Sequence, residues 1–452
     1  MEGSGRGGGH AGGGARPAGR ATRRGLALKA VTACSGLVAG GALAACGQER
    51  AAPATSALPP ADLEFHYHWS QNSPGEQGWT EIVKKFEAAH PGVKVHLVRH
   101  GGFEKVVAAA SAGTPPHLID MSPTQYASVS QRGLLVELGP FLKSGRGVKP
   151  GDLLPAIQEQ ATLGGSVWAM PSEAGTSLVF YNLDLIEEAG LRPPERSWRW
   201  QQEFLEIARR VTRDGPPEAA RYGVEHVYSG WWGNQWYTPV WAFGGDLLTR
   251  DRRQCALGEA RAVEGLQFVA DLTHKWRVTA TAAARQTSPQ GRPFFETGRL
   301  AMHPAGHFYY AQIKARQLFR WGVLPMPQGP AGSKGAINDW WTGIGKEARY
   351  HDQAWAFISF YLQPDNYAEF LRFVSWMPPI KAVERPPLVE DAQHWAALTG
   401  AAQTARSLPL LPQFDDVLKV MNDGLRPVFD SGEKTAPAAA PEICRQVSPL
   451  LG

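Results

Sequence analysis

Asp339-Trp340-Trp341 sets two indole rings beside a carboxylate, and similar pairings of flat rings with polar neighbours recur along the chain. Trp69-Ser70-Gln71 ends an alternating run, and Trp231, Trp232 and Trp236 crowd one short stretch. The 452 residues hold 16 Trp, well above the share of an ordinary soluble protein. Such groups suit a polyhydroxylated ligand. A flat ring covers an apolar C–H face, while Asp, Glu, Asn, Gln or His bonds the hydroxyls at the edge. A buried carboxylate accepts several charge-assisted hydrogen bonds, and a ligand that leaves it unpaired is penalised. Covalent chemistry has less support. Glycoside hydrolysis needs two carboxylates about 5 or about 6.5–9.5 Å apart. Glu173, Asp246 and Asp339 are available, but no motif marks any two as a pair. There is no G-x-S-x-G elbow, no H-E-x-x-H and no Walker loop. His66 and His68 alternate on one strand with no third ligand near in sequence, which fits polar strand positions better than a metal site. Neither a metal nor another cofactor is expected.

Periodicity indicates the elements that must hold these groups. Leu63, Phe65, Tyr67 and Trp69 alternate with Glu64, His66 and His68, as in a strand. Trp79, Ile82, Val83 and Phe86 follow at helical spacing, Val93, Val95 and Leu97 alternate again, and Phe103, Val106, Val107 and Ala110 return to a helix. A strand is expected over 117–121. Ser122-Pro123 then reads as the cap and first residue of a helix reaching Gly133. Strand and helix in alternation predict an α/β lobe with a largely parallel sheet, whose ligands bind beyond the carboxyl ends of the strands. Trp69, Ser70 and Gln71 lie at one such end, and Ser122 and Thr124 at another. Later helices are expected over 198–211, 259–277, around Trp355, Ile358 and Leu362, over 365–373 and over 414–422.

Residues 1–46 read as an export signal. Thr22-Arg23-Arg24-Gly25-Leu26 is a twin-arginine-like run, and 30–45 is an uncharged stretch of small and apolar residues, too short and Gly/Ala-rich for a stop-transfer span. Leu43-Ala44-Ala45-Cys46 resembles a lipobox. Cys46 would then carry lipid, and the Ala/Pro-rich stretch 47–61 would tether the body to a membrane from outside the cytoplasm. The formal charge of +4 comes from this leader, which holds Arg6, Arg16, Arg20, Arg23, Arg24 and Lys29 against Glu2. The remainder is within one charge of neutrality, which argues against nucleic acid as a partner. Cys255 and Cys444 would sit in an oxidising compartment. Spacing leaves open a disulfide or two buried free thiols.

Several motifs, in order, carry a resemblance. They are Ala112-Gly113-Thr114-Pro115-Pro116-His117-Leu118-Ile119, Trp168-Ala169-Met170-Pro171 followed by Phe180-Tyr181-Asn182-Leu183-Asp184-Leu185, and Ala189-Gly190-Leu191. Trp241-Ala242-Phe243-Gly244-Gly245-Asp246, the stretch 295–302 with Gly306, Gly322-Val323-Leu324-Pro325-Met326-Pro327 and the tail 409–414 continue the series. Together they resemble the extracellular solute-binding proteins of ABC importers (family 1, the maltose- and oligosaccharide-binding type), over essentially all of 62–450. The resemblance implies an α/β, two-lobed periplasmic-binding-protein-like fold of type II. Its first lobe would take about 62–172 plus 300–362, and its second about 173–299 plus 363–452. It also implies capture of a carbohydrate in the cleft by hinge closure, with no covalent step, by a lipid-anchored monomer that docks on ABC-transporter permease subunits. It places Glu173 at the first crossing as a polar contact and puts His307 where relatives often carry Trp. It sets Asp339, Trp340 and Trp341 at the cleft and Trp376 in a cleft-side loop. With Trp69, Ser70, Gln71, Ser122, Thr124, Trp231, Trp232 and Trp236, these are the candidate ligand-binding residues. The departures at His307 and over 338–341 leave the ligand's identity open. A lipid-anchored glycoside hydrolase is the alternative reading, and an adhesin or signalling receptor would share the same binding physics.

Overall fold

β1 (Ala61–Tyr67) buries Ala61, Leu63, Phe65 and Tyr67 in alternation, as a strand with one face on a core must. The computed structural model describes residues 58–145, 147–225, 236–289, 293–374, 376–381 and 391–452. Helix Pro74–Ala89 follows β1, capped by the Ser73 hydroxyl and opened by a proline that needs no amide partner there. β2 (Val93–Arg99) and β3 (Leu118–Met121) both run parallel to β1. Helix Pro123–Gln131 leaves β3 at once through a capping box between Ser122 and Gln125. The carboxyl ends of β1 and β3 therefore open on one side, with Trp69 and Ser122 just beyond them.

β4 (Ala169–Asn182) is 14 residues long and buried throughout. β5 (Tyr222–Val224), β6 (Leu300–Gly306), β7 (Trp321–Pro325), the ribbon β8 (Gln328–Gly329) with β9 (Gly332–Ser333), and β10 (Ile337–Ile344) complete the strands among the described residues. The order is β2-β1-β3-β10-β4-β6-β5, with β7 also on β4. From Ala169 to Thr176, β4 pairs antiparallel with β10. From Ser177 onward it takes β6, and from Leu178 also β7 on its other edge. One strand thus serves two sheets and changes partners between Thr176 and Ser177.

The first sheet packs on a core containing Trp79, Phe86, Trp355, Phe357 and Tyr361. Val179, Trp198, Phe204, Met302 and Leu324 form a second core, and Trp241, Leu266, Phe414, Leu425 and Ile443 a third. Cys255 and Cys444 form a disulfide with Cα atoms 5.1 Å apart, tying the segment after Asp246 to the last helix.

Three elements differ from expectation. β6, grouped from the sequence with the first lobe, pairs with the far half of β4 and with β5. The helix expected over 198–211 starts as a π-helical turn, Trp200–Phe204, before Leu205–Val211. Trp198, Trp200 and Phe204 are all buried, and the wider turn changes the phase at which large rings meet the core. Finally, the helix expected to stop at 422 runs Phe414–Phe429 through Pro427, and a further helix, Ala436–Leu451, contains Pro441 and Pro449. Proline discourages a helix assignment from sequence, but burial of Ile443, Val447 and Leu451 outweighs the lost amide bonds. No helix among the described residues is long and apolar enough to cross a membrane.

Candidate functional site

Just beyond β1, His68 and Trp69 stand side by side, their ring centroids 5.1 Å apart. His68 lies flat on Trp340 of β10, with centroids 3.5 Å apart and planes 5° from parallel. Trp69 meets Trp376 edge-on at 6.1 Å, and Trp376 meets His307, just after β6, edge-on at 4.5 Å. Four distant segments thus supply one chain of rings. Two glycines admit it. A Cβ on Gly75 would lie 1.9 Å from the Trp69 ring, and one on Gly175 would lie 1.7 Å from the His307 ring.

Glu173 sits among these rings, fully buried and paired in register with Trp340. Its Oε1 accepts the indole N–H groups of Trp69 and Trp79 at 2.5 and 3.4 Å. Its Oε2 has no hydrogen-bond partner and lies 3.8 Å from His68 Nε2. On the other side of the imidazole, His68 Nδ1–H donates to Asp120 Oδ2 at 2.5 Å, and Asp120 Oδ1 accepts from Ser172 Oγ at 2.7 Å. Burial pushes the Glu173 carboxyl above the usual carboxylate range. Burial alone would depress His68, but Glu173 and Asp120 together outweigh it and hold the imidazole above its ordinary value. His307 is neutral, because burial pushes it down to about 3, and neither ring nitrogen has a partner.

Asp339 is fully buried. Its Oδ2 accepts the Trp341 N–H at 3.1 Å, its Oδ1 is unpartnered, and burial pushes its carboxyl up to about 7. Trp341 itself stacks on Tyr126 with centroids 5.2 Å apart and is fully buried, so it is a core residue outside the ring chain. Trp236 is also buried, its N–H donated to Asn422 Oδ1 in a separate core. Ser122 and Thr124 hold hydroxyls 3.2 Å apart at the start of helix Pro123–Gln131, where Ser122 is occupied as the cap. Ser70 and Gln71 are exposed. Trp231 and Trp232 fall outside the described residues.

A cavity of about 730 Å³ is lined by Gln160, Asp246, Arg250, Arg252, Arg406 and Leu410 among others. Arg406 Nη2 donates to Asp246 Oδ2 at 2.6 Å, and its guanidinium lies 4.9 Å from the centre of the Trp241 ring. Gln160 is buried with its Oε1 unpartnered. Ile337 N donates to Arg406 O at 2.8 Å, so this wall abuts the start of β10, two residues before Asp339. The structure therefore brings Trp69, Glu173, His307, Trp340 and Trp376 together, adds His68 and Asp120 to them, and places Arg406 in the wall of the cavity. His68 was read as a polar strand position. A signal for Asp120 did exist, since a charged side chain inside Leu118-Ile119-Asp120-Met121 is out of place on a buried strand. Arg406 carried no local signal, because its partner Asp246 is 160 positions away.

The arrangement can hold a ligand between rings and unpaired polar atoms. Proteins of related sequence and fold are known. A Streptomyces antibioticus protein described as an uncharacterized lipoprotein is 28% identical over 383 residues, covering 79% of each chain. An sn-glycerol-3-phosphate-binding periplasmic protein of Pectobacterium atrosepticum is 22% identical, over 70% of this chain and 73% of its own. An ABC substrate-binding protein of Listeria monocytogenes, solved in complex with cycloalternan, superposes with a TM-score of 0.74 at 18% identity, covering 87% of this chain and 99% of its own. The fold is accordingly the two-lobed, periplasmic-binding-protein-like α/β fold. Residues 70–368 match the family described as bacterial extracellular solute-binding protein, and the chain belongs to that family.

Proposed function

We propose that this protein is the extracytoplasmic solute-binding component of an ABC importer and that its ligand is a carbohydrate, most simply an oligosaccharide. One observation carries the reading: the ring chain Trp340–His68–Trp69–Trp376–His307, closed around the buried carboxylate of Glu173. Indole faces suit the C–H face of a sugar, and Glu173 Oε2, Asp339 Oδ1 and the His307 nitrogens are polar atoms still lacking partners. The glycerol phosphate bound by the Pectobacterium relative suits these groups less well. A phosphate would approach buried carboxylates, while Arg406 is already paired with Asp246. The cycloalternan complex of the Listeria protein supports the carbohydrate reading by analogy of fold.

The lobes hinge where β4 changes partners, between Thr176 and Ser177. Residues 300–325, whose strands pair beyond that point, move with the second lobe. Cys46 anchors the chain by lipid, and the closed monomer docks on permease subunits. The test is a thermal-shift screen of residues 47–452 against mono- and oligosaccharides, polyols and glycerol phosphates. A ligand at 100 times its Kd adds about 2.7 kcal/mol. The expected result is a shift with a sugar that is recovered intact, lost in Trp340→Ala. Cleavage of that sugar would replace the reading with a hydrolase, and a shift with glycerol phosphate alone would change the ligand class.

A further inference from the structure

We propose that His68 and Glu173, with Asp120 as orienting carboxylate, form a site for a divalent transition-metal ion of the zinc or manganese type. The three side chains come from the end of β1, from β3 and from the middle of β4, and donor atoms from all three lie within 4.8 Å of one another. The gap that matters is between His68 Nε2 and Glu173 Oε2. At 3.8 Å it is too long for a hydrogen bond. It is close to the separation of two donors that share one ion: at about 2.1 Å each and tetrahedral to trigonal angles, they lie about 3.4–3.7 Å apart.

Each end of the gap is prepared. Glu173 Oε2 is buried with no hydrogen-bond partner, while its Oε1 is fixed by the Trp69 and Trp79 indoles, so the free oxygen has one direction to face. The imidazole is held by Asp120 on Nδ1, which turns Nε2 toward that oxygen. Asp120 is itself held by Ser172. A carboxylate on the far nitrogen of a histidine, itself hydrogen-bonded, is the outer-shell arrangement that fixes tautomer and ring angle at metal centres. Stacking on Trp340 stops the ring from turning away.

Charge argues the same way. Among the described residues the two carboxylates, both fully buried, have ion-pair contacts with His68 and with no Lys or Arg. No Lys or Arg contact therefore offsets these two carboxylates in a low-dielectric pocket, and a divalent ion would do so. One imidazole nitrogen with carboxylate oxygen favours zinc or manganese over calcium, which takes six to eight oxygens. The ion would enter past His68, whose side chain is 14% exposed while those of Asp120 and Glu173 are closed off. Its remaining positions would face the ring chain. A bound solute's hydroxyls could fill them, and that last clause alone rests on the carbohydrate-binding reading.

No metal was expected from the sequence, because His68, Asp120 and Glu173 are separated by roughly fifty positions each. The test is calorimetric titration of Zn²⁺, Mn²⁺, Ca²⁺ and Mg²⁺ into the chelator-stripped full chain, with metal content measured after dialysis and Co²⁺ absorption as a probe of nitrogen ligation. One Zn²⁺ or Mn²⁺ per chain is expected, with Ca²⁺ and Mg²⁺ failing to compete at equal concentration. Glu173→Gln and His68→Gln should each abolish retention, and Asp120→Asn should weaken it about tenfold to a hundredfold. Circular dichroism identifies any variant that does not fold, and Asp120→Asn then carries the test. No saturable binding, or equal retention in Glu173→Gln and His68→Gln, overturns the proposal and leaves a proton as the cluster's only cation. The sugar melt shift is recorded with and without metal, so that loss of that shift counts against the carbohydrate reading and loss of metal retention against this one.

Discussion

A single added carbon at Gly175 decides whether His307 can stand against β4, since it would fall 1.7 Å from the ring. Gly175→Ala is expected to cost about 1–3 kcal/mol by overpacking and to weaken ligand capture as His307 is pushed aside. Denaturant melts and ligand titrations on the same variant check both. Asp339 carries a pH prediction. Burial raises its folded-state pKa to about 7 from an ordinary 3.8, so between those values the folded chain holds a proton that the unfolded chain has released. The contribution is fully present below about pH 4 and is lost as pH rises towards 7, with a slope of at most about 1.4 kcal/mol per unit. Asp339→Asn removes that slope and keeps an oxygen for Trp341. Wild type should therefore lose ground to the variant between about pH 4 and pH 7 in paired denaturant melts. Residue type alone was a partial guide. Trp340 and Trp341 are neighbours with one side chain on His68 and the other on Tyr126, and only strand pairing decides which joins the ring chain.

Among the elements, the alternating strands and the helix starting at Ser122-Pro123 were legible because local pattern fixes them. The helix Ala436–Leu451 was not legible, because its prolines argue locally against what its buried face dictates globally. The grouping of β6 was likewise hidden, since partner choice across more than a hundred residues leaves no local trace. The disulfide closes a loop of 189 residues between the segment after Asp246 and the last helix. Cys255→Ser is expected to lower stability by about 2–5 kcal/mol, and reductant on the wild type should reproduce the loss in a denaturant melt. The same change should loosen Arg250 and Arg252, which line the cavity a few residues before Cys255.

For the whole molecule, lobes joined at a strand that changes partners predict a measurable closure. Saturating sugar should reduce the radius of gyration in small-angle scattering, and Trp340→Ala should leave the free and sugar-exposed profiles the same. The fold class was open to reading from motif order over the whole chain. The ligand's identity was not, since it depends on side chains that meet only when β1, β3, β4, β10 and the 376–377 loop assemble.

The position of β10 has a consequence for biogenesis. It lies between β3 and β4 in the first sheet, yet it follows β7 and the β8–β9 ribbon in the chain, long after β4. While residues 337–344 are still unmade or untranslocated, β3 and β4 each present a bare edge, the kind of edge that recruits a strand from another copy. The cleft therefore cannot exist until most of the polypeptide has emerged. A chain cut short before residue 337 would be a sticky fragment, prone to self-association, and not a half-functional receptor.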